Sequence, residues 1–144
     1  MIEHEGIIYN SIEVVKADSV INIEEIENSI SNFKSSKCVQ NSHIVAEKLD
    51  IKCVEGFVFC MAANGDRIDD KVIRHCWNQI NGKYFDVTKE YIWDKSDTKK
   101  DFVYFPIAEF DSAEYDFSQE KLFLSNAVEI ASAIDEKWQE ELKS

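Results

Sequence analysis

The stretch that most limits what this chain can fold into is RHCWNQINGKYFDVT, residues 74–88. Two runs rich in β-branched and aromatic residues flank Asn81-Gly82. That dipeptide suits a two-residue turn with positive φ at both positions, whose twist matches a pair of antiparallel strands. The spacing therefore predicts a hairpin and sets its register. Ile80 faces Lys83, Gln79 faces Tyr84, Asn78 faces Phe85 and Trp77 faces Asp86. Side chains alternate along a strand, so His75 and Trp77 share a face, while Phe85 and Val87 lie on one face of the return strand and Asp86 and Thr88 on the other. Asp86 then stands diagonally from His75. Diagonal neighbours are roughly 7–8 Å apart at the backbone, a gap that two polar side chains close. An aspartate that accepts from one imidazole nitrogen fixes the tautomer and makes the other nitrogen a better base.

The remaining elements follow from periodicity. Residues 1–20 alternate weakly, as in IIYNSIEVV, and suit an edge strand. INIEEIENSISNF carries Ile23, Ile26, Ile30 and Phe33 at helical spacing, with Asn22 as cap. SSKCVQNSHIVAEKLD predicts a second helix with Val39, Ile44, Val45 and Leu49 as its apolar stripe; its serines suit the N-cap, which puts Cys38 in the first turn. IKCVEGFVFCMA reads as a strand, NGDRIDD as a polar turn, and DFVYFPIAEF as a further strand ending near Pro106. SQEKLFLSNAVEIASAIDEKWQEELK predicts a long amphipathic helix, with Leu122, Leu124, Val128, Ile130, Ala131, Ile134 and Trp138 on its apolar face. The expected fold is α+β: N-terminal helices packed on a small antiparallel sheet, with a C-terminal amphipathic helix.

Its 144 residues suit a single domain, residues 1–144, large enough for a core without disulfide support. No membrane span is expected, and the opening MIEHEGIIYNSIEVV lacks a basic segment followed by an apolar one, so the expected location is cytoplasmic. Cys38, Cys53, Cys60 and Cys76 have no zinc-knuckle spacing and read as reduced thiols, the last three buried in strands. A net charge of −12 repels phosphate backbones, so a nucleic-acid partner is not expected. No nucleotide or metalloprotease fingerprint is present, so no cofactor or metal is expected.

A nucleophile for the His75–Asp86 pair must come from elsewhere, and Cys38 fits best. A thiol in the first helical turn sits at the positive end of the helix dipole, which favours the thiolate. The order of SKCVQNS leading a helix, HCWN on a strand, and FDVT after the hairpin turn resembles the transglutaminase-like superfamily of the papain-like cysteine peptidase fold. The resemblance covers about residues 36–88. It implies that Cys38 attacks an acyl carbon, His75 shuttles the proton, Asp86 orients His75, and Trp77 packs beside the site. The aromatic often found just after the nucleophile is missing, since Val39, Gln40 and Asn41 follow Cys38. For the oxyanion, the Cys38 backbone N–H is one donor. Asn32, Gln40 and Asn41 are candidates for a second, and Glu55 is a candidate binding residue beside Gly56, a glycine suited to close approach of a substrate chain.

Taken singly, Cys38 reads as a structural thiol, His75 as a bonded strand histidine and Asp86 as a turn-flanking acid. His43 reads as a surface residue, and the aromatic residues Tyr84, Phe85, Tyr91, Trp93, Phe102, Tyr104 and Phe105 as core. The combination points to cysteine-dependent acyl transfer or hydrolysis on a peptide or protein amide, or on a small acyl donor. The alternative is a non-catalytic acidic module that occupies a basic, nucleic-acid-handling partner protein.

Overall fold

The computed structural model describes residues 2–33, 38–61, 73–94, 101–111 and 127–143, with backbone alone at residues 38, 39, 127, 128, 142 and 143. It is a mixed α+β fold built on a curled antiparallel sheet. Strands β1 (Ile2–His4) and β2 (Ile7–Tyr9) form a small hairpin where the sequence suggested one edge strand. Then come α1 (Glu27–Ile30), α2 (Cys38–Leu49), β3 (Lys52–Met61), β4 (Ile73–Ile80), β5 (Lys83–Phe85), β6 (Asp101–Phe110) and α3 (Ala127–Lys143). The main sheet has the order β5-β4-β3-β6.

Asn81 and Gly82 take positive φ, 50° and 80°, as their hairpin requires. The register pairs Asn78 with Phe85, Gln79 with Tyr84 and Ile80 with Lys83. The return strand, expected over residues 83–88, ends at Phe85. Val87 and Thr88 turn helical and lead into a wide π-type turn, Lys89–Trp93. The cause lies in Asp86: its Oδ1 accepts from the Lys89 N–H at 3.2 Å and its carbonyl from the Glu90 N–H at 3.1 Å, as an aspartate N-cap does.

Two further expectations are corrected. The helix predicted through Ile23 and Phe33 is only a 3₁₀ turn, Ile23–Glu25, and the single turn α1. Asn22 does cap the first, accepting from the Glu24 N–H at 3.1 Å. Ile26, at φ −115° and ψ 2°, then interrupts helical geometry, and the β-branched isoleucines give little helix propensity to restore it. Strand β6 also runs through Pro106 to Phe110. It is an edge strand, where a missing N–H costs no ladder bond, and its register with β3 shifts between Glu55 and Gly56 beside the proline.

One sheet face carries Phe57, Phe59, Met61 and Phe105, covered by Ile130 and Ile134 of α3 and by Ile2 and Tyr9 of the hairpin. Each such buried side chain stabilises the fold by about 2 kcal/mol. Ala131 and Trp138 pack against this cluster, in keeping with the apolar face predicted for α3. The predicted positions Leu122 and Leu124, the capping serines Ser35 and Ser36, and the Val39 and Val128 side chains lie outside the described residues. Val45 and Ala46 of α2 pack with Cys53, Phe85, Val87, Ile26 and Phe33. The other face carries Val54, Val58, Trp77 and Tyr104, packed by Ile12 and Val14.

Ile12 and Val15 hold the curl. The Ile12 N–H donates to the Tyr104 carbonyl of β6 at 3.0 Å, and the Val15 N–H to the Tyr84 carbonyl of β5 at 2.8 Å. One short N-terminal segment therefore bridges the two outermost strands. Glu90 anchors its end, both carboxylate oxygens accepting from the Ala17 N–H at 3.0 and 3.1 Å. Asn78 ties α2 to the sheet, its Nδ2 donating to the Ser42 carbonyl at 2.8 Å and the Lys52 carbonyl at 3.2 Å. Asn78→Ala removes one donor from two carbonyls and should cost about 2 kcal/mol in urea unfolding; an unchanged midpoint would refute that contribution. Among the described residues, no helix is long and apolar enough to cross a membrane.

Candidate functional site

His75 lies on β4 opposite Gly56 of β3, and is wholly buried. Asp86, directly after β5 and 1% exposed, meets it: Nε2 of His75 and Oδ2 of Asp86 are 2.6 Å apart. The diagonal read from the hairpin register is thus closed by a direct contact. The same Oδ2 accepts from the Tyr104 hydroxyl at 2.7 Å, and Oδ1 holds the Lys89 N–H. Strand β6 is at one edge of the sheet and Asp86 follows the strand at the other edge, so only the curl allows Tyr104 to reach it.

Burial alone would push the Asp86 carboxyl up. The charge and hydrogen bond of His75, with the Tyr104 and Lys89 bonds, outweigh burial and hold it below the usual carboxylate range. Tyr104 moves the other way: burial, and then the Asp86 carboxylate, push its hydroxyl above the ordinary tyrosine range, so it stays a donor. Aromatic rings box the imidazole, with centroids at 4.6 Å for Trp93, 6.0 Å for Trp77 and 6.3 Å for Tyr104. Asp86 takes Nε2 of the imidazole and fixes its orientation.

Cys38 is the first residue of α2, while its side chain lies outside the described residues. One turn on, the buried Asn41 donates from Nδ2 to Thr88 Oγ1 at 3.0 Å, which joins the start of α2 to the segment that carries Asp86. Thr88 was not singled out in the sequence, nor were Tyr104, Trp93 and Lys89 as partners of the pair. The aspartate N-cap preference could have pointed to Lys89.

The other candidates are scattered. Trp77 shares the face of His75, as expected, and its buried Nε1–H meets no acceptor among the described residues. Glu55 is buried on the opposite face, level with Cys76, where Arg74 Nη2 lies 3.5 Å from its Oε1; the structure does not bring it to His75. Asn32 and Gln40 are exposed, and neither has a described contact with His75 or Asp86. The space over Gly56 is not open to a substrate chain: a Cβ there would lie 2.6 Å from the Trp77 ring and 2.1 Å from the Phe105 carbonyl oxygen. His43 is not a free surface group either, being 15% exposed and 3.4 Å from Glu47.

Cys53, Cys60 and Cys76 are buried, and burial pushes the Cys53 thiol up to about 12. A cavity of about 490 Å³ is lined by Asp86 together with Tyr104, Phe102, Val14, Lys16 and Glu90. Among the described residues, no group of three or more His, Cys, Asp or Glu is placed to hold a metal ion. Comparison with protein-family models, with curated proteins and with solved structures finds no match.

Proposed function

We propose that this protein performs cysteine-dependent acyl transfer or amide hydrolysis, with Cys38 as nucleophile, His75 as general base and acid, and Asp86 as the group that orients His75. We propose also that α2 and the curled sheet form a core of the transglutaminase-like, papain-like type. The observation that carries the reading is the 2.6 Å contact between His75 Nε2 and Asp86 Oδ2, both buried. Burying a carboxylate costs several kcal/mol unless donors offset it, and here three donors converge on one aspartate. In this reading Nδ1 of that firmly held imidazole takes the thiol proton. The bond from Asn41 to Thr88, which ties the first turn of α2 to the segment that carries Asp86, supports a nucleophile at the start of that helix.

In this scheme the Cys38 thiolate attacks the acyl carbon of an amide, forming a carbon–sulfur bond. The Cys38 backbone N–H at the helix start faces the developing oxyanion. The carbon–nitrogen bond breaks as His75 passes its Nδ1 proton to the departing amine, leaving a thioester. Water, surrendering a proton to His75, then cleaves the thioester to a carboxylic acid and restores the thiol; an amine in place of water gives a new amide.

The test is alkylation of the native protein by iodoacetamide across pH, with each cysteine followed by mass spectrometry. Cys38 should react fast below pH 7 and lose that advantage in His75→Ala, while buried Cys53, Cys60 and Cys76 stay protected. A Cys38 that behaves as a free thiol with a pKa of about 8.5 would overturn the proposal. The net charge of −12 favours one competing reading, an acidic module that covers a basic partner. That reading requires strongly salt-dependent binding that survives Cys38→Ala.

A further inference from the structure

We infer that Tyr104 is a positioning residue for the His75–Asp86 pair: its hydroxyl sets the orientation and the basicity of the carboxylate that holds the imidazole. The inference rests on the acyl-transfer reading for its consequence, and on geometry for its content. A buried tyrosine needs one acceptor for its hydroxyl, and any backbone carbonyl would serve. Tyr104 instead donates at 2.7 Å to the very oxygen, Oδ2, that lies 2.6 Å from His75 Nε2. With the Lys89 N–H on Oδ1, both carboxylate oxygens are held, so the plane of the carboxylate cannot swing.

The tyrosine itself is fixed on several sides. It is 3% exposed, its carbonyl accepts from the Ile12 N–H at 3.0 Å, and Trp77 packs edge-on at 5.1 Å. The other charged groups near Asp86 come from three elements. Lys89, Glu90 and Asp94 lie on the helical turn, Lys16 and Asp18 on the N-terminal segment, and Asp101 on β6. None of them bonds Oδ2, so the hydroxyl is the neutral group that takes a share of the charge there.

Sharing that charge has a chemical effect. An oxygen with two donors holds each less tightly than an oxygen with one. Without the hydroxyl, Oδ2 becomes more basic and grips the Nε2 proton harder. The imidazolium is then stabilised and surrenders its Nδ1 proton less readily to a leaving amine. Tyr104 therefore keeps His75 balanced between base and acid.

The experiment uses Tyr104→Phe, which keeps the ring and its packing. Iodoacetamide labelling of Cys38 should rise with pH in two steps, the first giving thiolate beside imidazolium and the second marking loss of the imidazolium proton. The variant should move the second step to higher pH, and the proton NMR resonance of His75 Nε2–H further downfield. His75→Ala should leave one step near the ordinary thiol value of about 8.5. A folded Tyr104→Phe protein with both the second step and the resonance unmoved overturns the inference, since Tyr104 would then only fill the core. If the wild type itself shows one ordinary step, the acyl-transfer reading fails, while the Nε2–H resonance still decides whether Tyr104 tunes the pair.

Discussion

Asp86→Ala is expected to lower stability by about 3–5 kcal/mol, a fall in Tm on the order of 10 °C, and to remove any fast reaction of Cys38. The size follows from what is left behind. The His75 imidazole, the Tyr104 hydroxyl and the Lys89 N–H each lose an acceptor inside the protein, and the first two are buried. The short helical turn after Asp86 loses its cap as well. Asp86→Asn should do less damage to folding, because the amide oxygen can still accept. The pH dependence separates the two effects. A carboxyl whose pKa is lower folded than unfolded stabilises the protein above its unfolded value, about 3.9, and that contribution disappears as pH falls through the folded value. Asp86 is held low, so the wild type should lose stability from about pH 4 downward, and Asp86→Asn should lose less over that range. Parallel acid-denaturation curves for the two proteins would sink this account of the pair.

Gly56→Ala is the second large effect. An added Cβ would lie 2.1 Å from the Phe105 carbonyl oxygen, 2.6 Å from Trp77 Cη2 and 2.9 Å from Pro106 Cα. Two of these three neighbours are backbone, so no rotamer change removes the clash. The register shift between Glu55 and Gly56 brings β6 this close, and the indole of Trp77 fills what remains. We expect a loss of about 3 kcal/mol, read as a lower urea midpoint. Adding Trp77→Phe should recover only part of it, since the indole is the one side chain among the three. A Gly56→Ala protein within 0.5 kcal/mol of wild type, roughly the range of an ordinary surface substitution, would mean that β6 is not where we place it.

What the sequence disclosed and what it concealed divide by range. Asn81-Gly82 set a local register, so His75 and Asp86 could be brought together on paper, and the strand from Ile51, the start of α2 and the apolar face of α3 were legible from periodicity. Tyr104 was not. Its approach to Asp86 depends on β6 pairing with β3, on an irregular register at Glu55 and Gly56, and on a curl that joins opposite edges of the sheet. None of these has a period. Pro106 misled because proline stops most strands, and only its place at an edge makes it harmless. The stretch from Ile23 to Phe33 misled because isoleucines at helical spacing supply burial without helix propensity. Asp86 ended its strand early because its side chain caps the following turn, a competition between neighbours that a strand pattern does not show.

The bridge made by Ile12 and Val15 also bears on the order in which the molecule can be assembled during synthesis. Ile12 leaves the ribosome well before its acceptor, the Tyr104 carbonyl, has been made. Domains tend to form from the N-terminus as the chain emerges, but here the N-terminal segment has to wait for β6. Until then the sheet has an unoccupied edge, and Asp86 lacks its tyrosine. The hairpin of β4 and β5 is made before β6, while the buried polar centre it carries is completed only once Tyr104 has emerged. A nascent chain arrested before Tyr104 would therefore hold the His75–Asp86 pair in water rather than in the core.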